Sequence, residues 1–375
     1  MSSEKKLIVL SSGGTGGHMF PAAALARDLV SRGYQVRVVT DERGKKYEGN
    51  FGGVPFHVIQ AGTMGAGVAG KISGMARLSI GMVQAFRLID RLKPAVVVGF
   101  GGYPSVPAMY AAQAKKIPTV IHEQNAIMGR ANAFLTAKAE RIALSLPYTE
   151  GLDESDAART VVTGNPVRED IAALYTRPYP VLEKDGVFRL CVMGGSQGAN
   201  IFAEVVPATL VKLPAVYRSR LEVTQQCREE DLSFVRGAYE KAGIKARLEV
   251  FFSDVANILS QAHLVISRSG ASTVAEVSAA GRPAIFVPYP HNRDDQQKIN
   301  ADVVADAGGA WVMTQNGFTV EALLPRIETF LQHPETLFRA AEGARSCGKP
   351  DAARRLGNVV TALASGWEKD GHKSL

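Results

Sequence analysis

Two glycine-rich turns carry the strongest chemical signal in this chain of 375 residues. The stretch GGTGG at 13–17 follows the apolar run 7–10, and GGSQG at 194–198 follows the run 189–193. A helical pattern begins directly after each turn. Glycine allows close approach, and the first N–H groups of a helix lack helical partners, so such a turn can hold a phosphate. The repetition predicts two α/β domains that each bind a phosphate group. The alternative is a pair of ordinary tight turns.

Polar side chains follow two strand-like runs of the first half. HEQN at 122–125 comes directly after the run 117–121, and Tyr103 follows GFGG at 99–102. Ligands of parallel sheets bind beyond the carboxyl ends of the strands, and buried polar groups are costly without partners. His18 lies beside the first glycine turn, where a histidine can act as an acid or a base. The alternative for each residue is a structural, hydrogen-bonded cluster.

The second half has its own polar positions after strand-like runs. Arg268 follows the run 264–267, and Glu276 lies on the next helical pattern. A carboxylate can accept hydrogen bonds from both hydroxyls of a ribose, although a solvated helical acid is the simpler explanation. Gln296, Gln297 and Asn300 follow a proline-containing turn, and their amides suit sugar hydroxyls better than a packed core does.

Two common motifs can be set aside. Neither glycine turn is followed by the G-K-[ST] of a nucleoside-triphosphate P-loop. GAGVAG at 65–70 matches the dinucleotide fingerprint literally, but Asp90 lies in a helical pattern and not at the end of a second strand. We interpret that match as chance.

Charge and cysteine content narrow the class of protein. Residues 1–167 contain 19 Lys+Arg and 12 Asp+Glu, whereas the rest of the chain is balanced. The excess favours an anionic partner for the first domain, such as a phosphorylated substrate or an acidic lipid surface. Nucleic acid is disfavoured because no basic stripe is interleaved with aromatic residues. Three widely spaced cysteines argue against disulfides or a zinc site and favour a reducing cytoplasm.

The stretch 94–113 contains no charged residue, so a membrane helix is one interpretation of it. Its three prolines and its glycine pair predict a strand, a turn and a helix instead. The N-terminal apolar run is too short for a signal peptide. The sequence therefore predicts a soluble chain.

Alternating strand and helix patterns must position these residues. Seven strands (6–11, 35–40, 56–60, 95–99, 118–122, 141–145 and 160–163) and six more (188–193, 221–224, 247–251, 263–267, 284–287 and 310–313) predict two doubly wound parallel sheets. We predict an N-terminal domain over 1–167 and a C-terminal domain over 168–351 that face a cleft. The helical stretch 352–375 is expected to pack back onto the first domain.

A basic amphipathic segment lies between the third and fourth strands. Its apolar side chains recur at helical spacing, and five basic residues oppose only Asp90 between positions 61 and 93: Lys71, Arg77, Arg87, Arg91 and Lys93. One interpretation is a core-packing helix with a solvated basic face, and the other is attachment to an anionic membrane surface. The sequence leaves both open.

The ordered set of motifs resembles the MurG family of bacterial enzymes, glycosyltransferase family 28. The resemblance runs from residue 13 to about residue 300 and comprises GGTGGH (13–18), GFGGYPS (99–105), HEQN (122–125), GNPVR (164–168), GGSQGA (194–199), RSGASTVAE (268–276) and QQ-xx-N (296–300). It implies a two-domain GT-B fold, no essential active-site metal and no cofactor. It also implies inverting transfer of GlcNAc from UDP-GlcNAc to the C4 hydroxyl of MurNAc in undecaprenyl-linked lipid I, which yields lipid II and UDP.

The resemblance also implies a location and roles for individual residues. It implies a peripheral protein at the cytoplasmic face of the bacterial inner membrane, with cell-wall and division proteins as candidate partners. The implied donor-binding residues are Thr15, Gly16, Gly17, Asn125, Arg168, Ser196, Phe252, Ala271, Glu276, Gln296 and Gln297. The implied acceptor-binding residues are Thr15, Gly16, Gly17, His18, Tyr103, His122 and Asn132. His18 is the expected general base, because it titrates near neutrality, and Glu123 is the second candidate.

Two departures and three rival functions remain open. Ala203 stands where many relatives have an asparagine, which leaves Asn200 as a candidate substitute for that side chain. The loop before Gln296 is one residue longer than in some relatives. The rivals are a glycolipid glycosyltransferase with another acceptor, a UDP-GlcNAc 2-epimerase, and a non-catalytic module that binds UDP-sugars at a membrane surface.

Overall fold

The computed structural model describes residues 5–61, 67–195, 199–290 and 295–366, without the side chains of 67–73 and 75. Two compact units divide the chain. The first comprises Met1–Arg168 and Asp351–Leu375, and the second comprises Glu169–Pro350.

Both units are built on strands that alternate with helices. The strands are β1 Leu7–Ser11, β2 Gln35–Thr40, β3 Phe56–Val58, β4 Val96–Gly99, β5 Thr119–Glu123, β6 Arg141–Leu144, β7 Thr160–Val162, β8 Phe188–Met193, β9 Leu221–Gln226, β10 Lys245–Glu249, β11 Leu264–Ser267, β12 Ala284–Phe286 and β13 Ala310–Val312.

The helices complete the alternation. They are α1 Gly16–Ser31, α2 Glu42–Lys45, α3 Gly67–Leu92, α4 Val106–Ala114, α5 Arg130–Thr136, α6 Glu169–Ala172, α7 Asn200–Leu210, α8 Ala215–Arg218, α9 Leu232–Lys241, α10 Val255–Gln261, α11 Ala271–Ala279, α12 Gln296–Asp306, α13 Val320–Gln332, α14 Glu335–Cys347 and α15 Ala352–Ser365.

The first unit contains a parallel sheet in the order β3-β2-β1-β4-β5-β6-β7. Alternate residues of β1 serve opposite faces: Ile8 and Leu10 lie in the core with α1 and α15, whereas Val9 lies in the core with α3 and α4. Because both faces are covered, the central strands are mainly apolar. This arrangement confirms the predicted doubly wound sheet, and the thirteen predicted strands match the observed ones to within about two residues.

The second unit repeats the plan with the order β10-β9-β8-β11-β12-β13, again all parallel. A single large apolar cluster joins β8, β9 and β11 to helices α7, α9 and α13. The strand order reverses between β8 and β11: β9 and β10 are added on one side of β8, and β11, β12 and β13 on the other. Ligands of open parallel sheets bind at such a position.

The last described helix, α15, packs on α1 within the first unit. Leu356 and Val360 are fully buried there. Lys6 Nζ donates to the Ala364 carbonyl at 2.7 Å, and Arg32 Nη1 donates to Asn358 Oδ1 at 2.7 Å. The rest of the predicted C-terminal segment, 367–375, lies outside the described residues.

A membrane-spanning helix was the alternative for the uncharged stretch 94–113. That stretch forms β4, a turn and most of α4. Within the described part of the chain, no helix combines the length and hydropathy needed to cross a bilayer.

Candidate functional site

Three loops of the first unit meet at one edge of its sheet. Ser11 of β1 pairs with Gly99 of β4, and Gly99 pairs with Ile121 of β5. All three strands are parallel, so the turns 12–15, 100–105 and 124–129 leave the sheet on the same side. The sheet therefore brings the first glycine turn, the GFGGY turn and the HEQN segment together.

Glycine at 13 and 102 lets two of these turns touch backbone to backbone. Gly102 has a φ of +75°, and Gly101 has a φ of +84°. A Cβ atom added at Gly13 would lie 2.7 Å from Pro104 Cδ and 3.2 Å from Gly102 Cα. The turns can thus pack this closely only without side chains.

We expect Gly13→Ala to destabilise the first unit by about 1–3 kcal/mol, because the added methyl must push the turn at 102–104 away. Denaturant unfolding measures the loss. Gly49→Ala is the control, since an added Cβ there would meet nothing within 4 Å. Equal unfolding midpoints for the two variants would contradict the role of this close contact.

The N-terminus of α1 opens at the same edge. Thr15 is its extended N-cap residue, and among the described residues the Thr15 hydroxyl makes no capping hydrogen bond. Thr15 and Gly17 are exposed, and Gly16 is buried. The first turn of α1 contains no acidic side chain. A helix start of this kind favours a bound anion.

His18 lies in the first turn of α1 and is half-buried. Its Nδ1 lies 3.0 Å from Gln124 Oε1. Its ring lies against the GFGGY turn, since a Cβ added at Gly101 would lie 3.4 Å from His18 Cε1. Burial lowers the pKa of His18 below its usual value, against smaller opposing effects of Gln124, Glu123 and the Phe100 backbone. The imidazole is therefore neutral near pH 7 and able to accept a proton.

Glu123 is almost fully buried, at 1% exposure, and organises the loop that follows β5. One carboxylate oxygen accepts hydrogen bonds from the Asn125 N–H and side-chain amide, at 3.0 and 3.2 Å. The other accepts from the Gly129 N–H at 2.9 Å and from Asn132 Nδ2 at 2.8 Å. Four donors occupy this carboxylate, so its geometry suits a structural role better than that of a base.

His122 has no exposed surface, and burial lowers its pKa to about 4. Its Nε2 lies 3.1 Å from the Gly164 carbonyl oxygen, and its Nδ1 lies 3.0 Å from Gln124 Nε2. His122 thus reaches His18 through Gln124.

By contrast, Tyr103 is 53% exposed at the same edge. Asn132 is buried, and its Oδ1 has no hydrogen-bond partner among the described residues.

Sequence reasoning placed Gln124 in a polar cluster but gave it no role of its own. The structure makes it the residue that links the two histidines. Its position directly after a buried strand, between Glu123 and Asn125, was the available signal. Spacing alone could not show which histidine it would contact.

In the second unit the glycine turn after β8 is held by a residue that the sequence analysis missed. Gln226, at the end of β9, accepts from the Gly194 N–H at 3.2 Å and donates to the Gly195 carbonyl at 3.2 Å. Gly195 has a φ of +78°. Ser196 lies outside the described residues. The signal for Gln226 was its position at the carboxyl end of the strand beside β8.

A second helix N-terminus lies at the same edge of this sheet. Ala271 begins α11 behind the extended N-cap residue Gly270, and a Cβ added at Gly270 would meet nothing within 4 Å. Glu276 lies five residues further along α11 and is half-buried. Arg268 donates to the Val287 and Pro288 carbonyls, at 3.1 and 3.2 Å. These bonds hold the turn after β12 against the turn after β11.

The two glutamines of α12 have different surroundings. Gln296 is the first residue of the helix, whereas Gln297 Oε1 accepts from the Tyr289 N–H at 2.9 Å. Asp295, the N-cap residue, adopts a left-handed φ of +46°. Asn300 is buried and donates to the Ser269 carbonyl at 3.4 Å. The helix is thereby tied to the turn that precedes α11.

The remaining candidate positions have the following surroundings. The guanidinium of Arg168 lies 5.3 Å from the Phe20 ring centroid, within the first unit. Phe252 is 4% exposed, with the Arg247 guanidinium over its ring.

Ala203 is buried in the core of the second unit, and Asn200 donates to Glu204 of its own helix. In this structure, Asn200 is therefore engaged within α7.

Comparison with known proteins finds a family match in each half of the chain. The N-terminal domain model of glycosyltransferase family 28 covers residues 8–144, and its C-terminal domain model covers residues 189–356. The chain belongs to glycosyltransferase family 28. The two candidate sites therefore lie at the sheet edges of the two family 28 domains.

Family 28 relatives are similar over nearly the whole chain. The UDP-N-acetylglucosamine–N-acetylmuramyl-(pentapeptide) pyrophosphoryl-undecaprenol N-acetylglucosamine transferase of Rhodospirillum centenum is 51% identical, over 95% of this chain and 94% of its own. The protein of the same name from Paramagnetospirillum magneticum is 48% identical, over 97% and 98%.

Solved structures agree with the assignment. The crystal structure of Acinetobacter baumannii MurG superposes with a TM-score of 0.76 at 29% identity, covering 96% of this chain and 99% of that one. A UDP-GlcNAc 2-epimerase from Neisseria meningitidis superposes with a TM-score of 0.65 at 12% identity, covering 93% and 98%. The second likeness shows only that the fold is shared.

Proposed function

We propose that this protein transfers GlcNAc from UDP-GlcNAc to the C4 hydroxyl of MurNAc in lipid I, with inversion, forming lipid II and releasing UDP. The observation that carries this proposal is the 51% identity, over 95% of the chain, to a transferase named for this reaction. The neutral histidine beside a helix start suited to an anion supports it.

In the proposed reaction the first unit binds the acceptor. The start of α1, at Thr15, Gly16 and Gly17, meets the pyrophosphate of lipid I. His18 accepts the proton of the C4 hydroxyl as that oxygen bonds to the anomeric carbon and the bond from this carbon to the UDP oxygen breaks. Tyr103 and Asn132 line the acceptor side, and His122 acts through Gln124.

The second unit binds the donor in this proposal. The glycine turn with Ser196, at the start of α7, meets the diphosphate and offsets the charge that develops on leaving UDP. A helix start contributes about 0.3–1 kcal/mol at an exposed site, so several donors must act together. Glu276 binds the ribose, and Ala271, Gln296 and Gln297 bind the GlcNAc. Arg168, Asn125 and the backbone near Phe252 complete the donor set.

Incubating the purified protein with UDP-GlcNAc and a short-chain lipid I analogue tests the proposal. Mass spectrometry follows UDP and the lipid products. We expect UDP release to be matched by an acceptor that gains one N-acetylhexosamine. A changed sugar nucleotide without acceptor would instead indicate an epimerase, and UDP-sugar binding without turnover would indicate a binding module. Transfer only to another glycolipid would indicate a different acceptor.

We also propose that helices α3, α4 and α5 face an anionic membrane, which places the protein at the cytoplasmic face of the inner membrane. These helices pack in one layer and expose large apolar side chains there: Ile80 is 48%, Val83 51% and Phe134 64% exposed. Tyr110 stacks on Phe134, with ring centroids 6.2 Å apart. The exposed Arg77 and Arg87 add positive charge on α3. Such a surface suits acidic lipid headgroups.

The opposite face of α3 packs in the core of the first unit. Ala85, Leu88 and Ile89 are buried there, and Met82 and Phe86 are half-buried. Of the apolar stripe in the sequence, Ile89 lies in this core, and Phe86 and Leu92 pack against it. The proposed membrane contact rests on other positions, Ile80 and Val83.

We expect the double variant Ile80→Glu, Val83→Glu to bind anionic liposomes at least about tenfold more weakly, since each apolar side chain contributes about 1.5–3 kcal/mol when it leaves water. Co-sedimentation with anionic and neutral liposomes measures this. Val30→Glu changes an equally exposed valine, at 48%, on α1 and is the control. Unchanged binding of the double variant would rule out this surface.

A further inference from the structure

The hydrogen positions around His18 follow from two backbone carbonyls. His122 Nε2 lies 3.1 Å from the Gly164 carbonyl oxygen. A carbonyl oxygen only accepts hydrogen bonds, so Nε2 of His122 must carry its hydrogen. Because burial lowers the pKa of His122 to about 4, the ring is neutral and its Nδ1 holds a lone pair.

The second carbonyl sets the orientation of Gln124, which is 3% exposed. Its side-chain nitrogen lies 3.0 Å from the His122 carbonyl oxygen and 3.0 Å from His122 Nδ1. Both of these atoms are acceptors, so only the NH₂ end of the amide satisfies them. The amide oxygen of Gln124 must then point to His18.

His18 Nδ1 lies 3.0 Å from that oxygen. Since an amide oxygen accepts and does not donate, Nδ1 of His18 carries the hydrogen. In a neutral imidazole the other nitrogen, Nε2, then holds the lone pair. This nitrogen lies on the side of the ring that faces the GFGGY turn, because a Cβ added at Gly102 would lie 3.6 Å from it.

We propose that Gln124 and His122 are positioning residues that hold His18 in the tautomer with hydrogen on Nδ1, so that Nε2 is ready to accept the proton of the acceptor hydroxyl. The catalytic part of this inference rests on the proposed role of His18 as the base. In water a neutral histidine side chain prefers its hydrogen on Nε2, which would occupy the nitrogen that must react. The chain Gly164–His122–Gln124–His18 reverses that preference.

The tautomer can be read directly from ¹⁵N NMR of protein labelled at its histidines, with the His18 signals assigned by their loss in His18→Gln. We expect the wild-type His18 to carry hydrogen on Nδ1, and Gln124→Met to shift it toward hydrogen on Nε2. His122→Phe, which retains the ring packing against Phe100, should shift it in the same direction. A wild-type ring with hydrogen on Nε2, or a tautomer unchanged in Gln124→Met, would overturn the proposal.

Kinetics separate the inference from the proposed function. We expect Gln124→Met to lower kcat by about 10–10³-fold, since misorienting a catalytic histidine costs up to about 10⁴-fold, with KM for UDP-GlcNAc unchanged. The matched control is Gln113→Met, which removes a half-buried amide elsewhere in the first unit, one that donates to the Leu135 carbonyl at 2.9 Å. It should leave the His18 signals and kcat unchanged. Loss of kcat in Gln113→Met as large as in Gln124→Met would reduce Gln124 to a folding role.

The two possible failures are distinguishable. If His18 has hydrogen on Nδ1 and loses it in Gln124→Met while kcat stays normal, the positioning holds and the base assignment fails. If GlcNAc transfer is intact and the tautomer is unaffected by Gln124→Met, the proposed function stands and the positioning fails.

Discussion

His18→Ala lowers kcat for GlcNAc transfer by about 10²–10⁴-fold, the usual contribution of a general base. The affinity for UDP-GlcNAc stays within about twofold, because a group that acts only in the transition state does not bind the donor. Steady-state kinetics with a lipid I analogue and a separate UDP-GlcNAc titration measure the two effects. His57→Ala is the control, since His57 is another half-buried histidine of the first unit whose pKa is lowered by burial.

The pH profile of kcat/KM gives an independent check on the same residue. A base must be neutral to accept a proton, and burial lowers the pKa of His18 below 6.5. Activity is therefore retained at pH values above the lowered pKa and is lost as pH falls through it. An acid limb above pH 6.5, or a near-normal kcat in His18→Ala, would remove His18 from this role.

Glu123→Ala has the largest expected effect on stability, a loss of about 3–5 kcal/mol for the first unit. The substitution removes the carboxylate that accepts from the N–H groups of Asn125 and Gly129 and from the side-chain amides of Asn125 and Asn132. The Asn132 amide keeps its bond to the His122 carbonyl at 3.2 Å. Buried donors that lose a partner cost about 1–3 kcal/mol each before relaxation. Hydrogen exchange of residues 124–132 and chemical denaturation measure the change.

Glu140→Ala is the control for this prediction. Glu140 is exposed on the same unit, so its replacement should change stability by no more than about 0.5 kcal/mol. A Glu123→Ala variant that is as stable as the wild type but inactive would show that Glu123 acts in the reaction and not in holding the loop.

Strand patterns in the sequence were sufficient for the fold. Short runs such as Leu7–Ser11 and Leu264–Ser267 are apolar, rich in branched residues and bounded by glycine or polar turns, and each forms a buried parallel strand. This signal is local, because burial on both faces of a sheet requires continuous apolar runs. The ordered glycine and polar motifs also sufficed to predict family 28.

The amphipathic pattern of α3 gave less information about which of its apolar side chains are buried. The sequence showed an apolar stripe and a basic face, but it could not divide the apolar positions between the core and the solvent. The structure buries Ala85 and Leu88 and leaves Ile80 and Val83 exposed. That division depends on where α4 packs against α3, which is a contact between separate segments of the chain.

By itself, then, the sequence determined the elements, the doubly wound sheets, the family and the set of polar residues at the strand ends. Only the tertiary structure decided which of those residues contact one another. His18 contacts Gln124, and His122 contacts Gly164, although these pairs lie far apart in the chain, because β1, β4, β5, β6 and β7 are successive neighbours in the sheet. Hydrogen-bond direction is a property of atoms within about 3 Å, so residue spacing cannot specify the protonated nitrogen of His18.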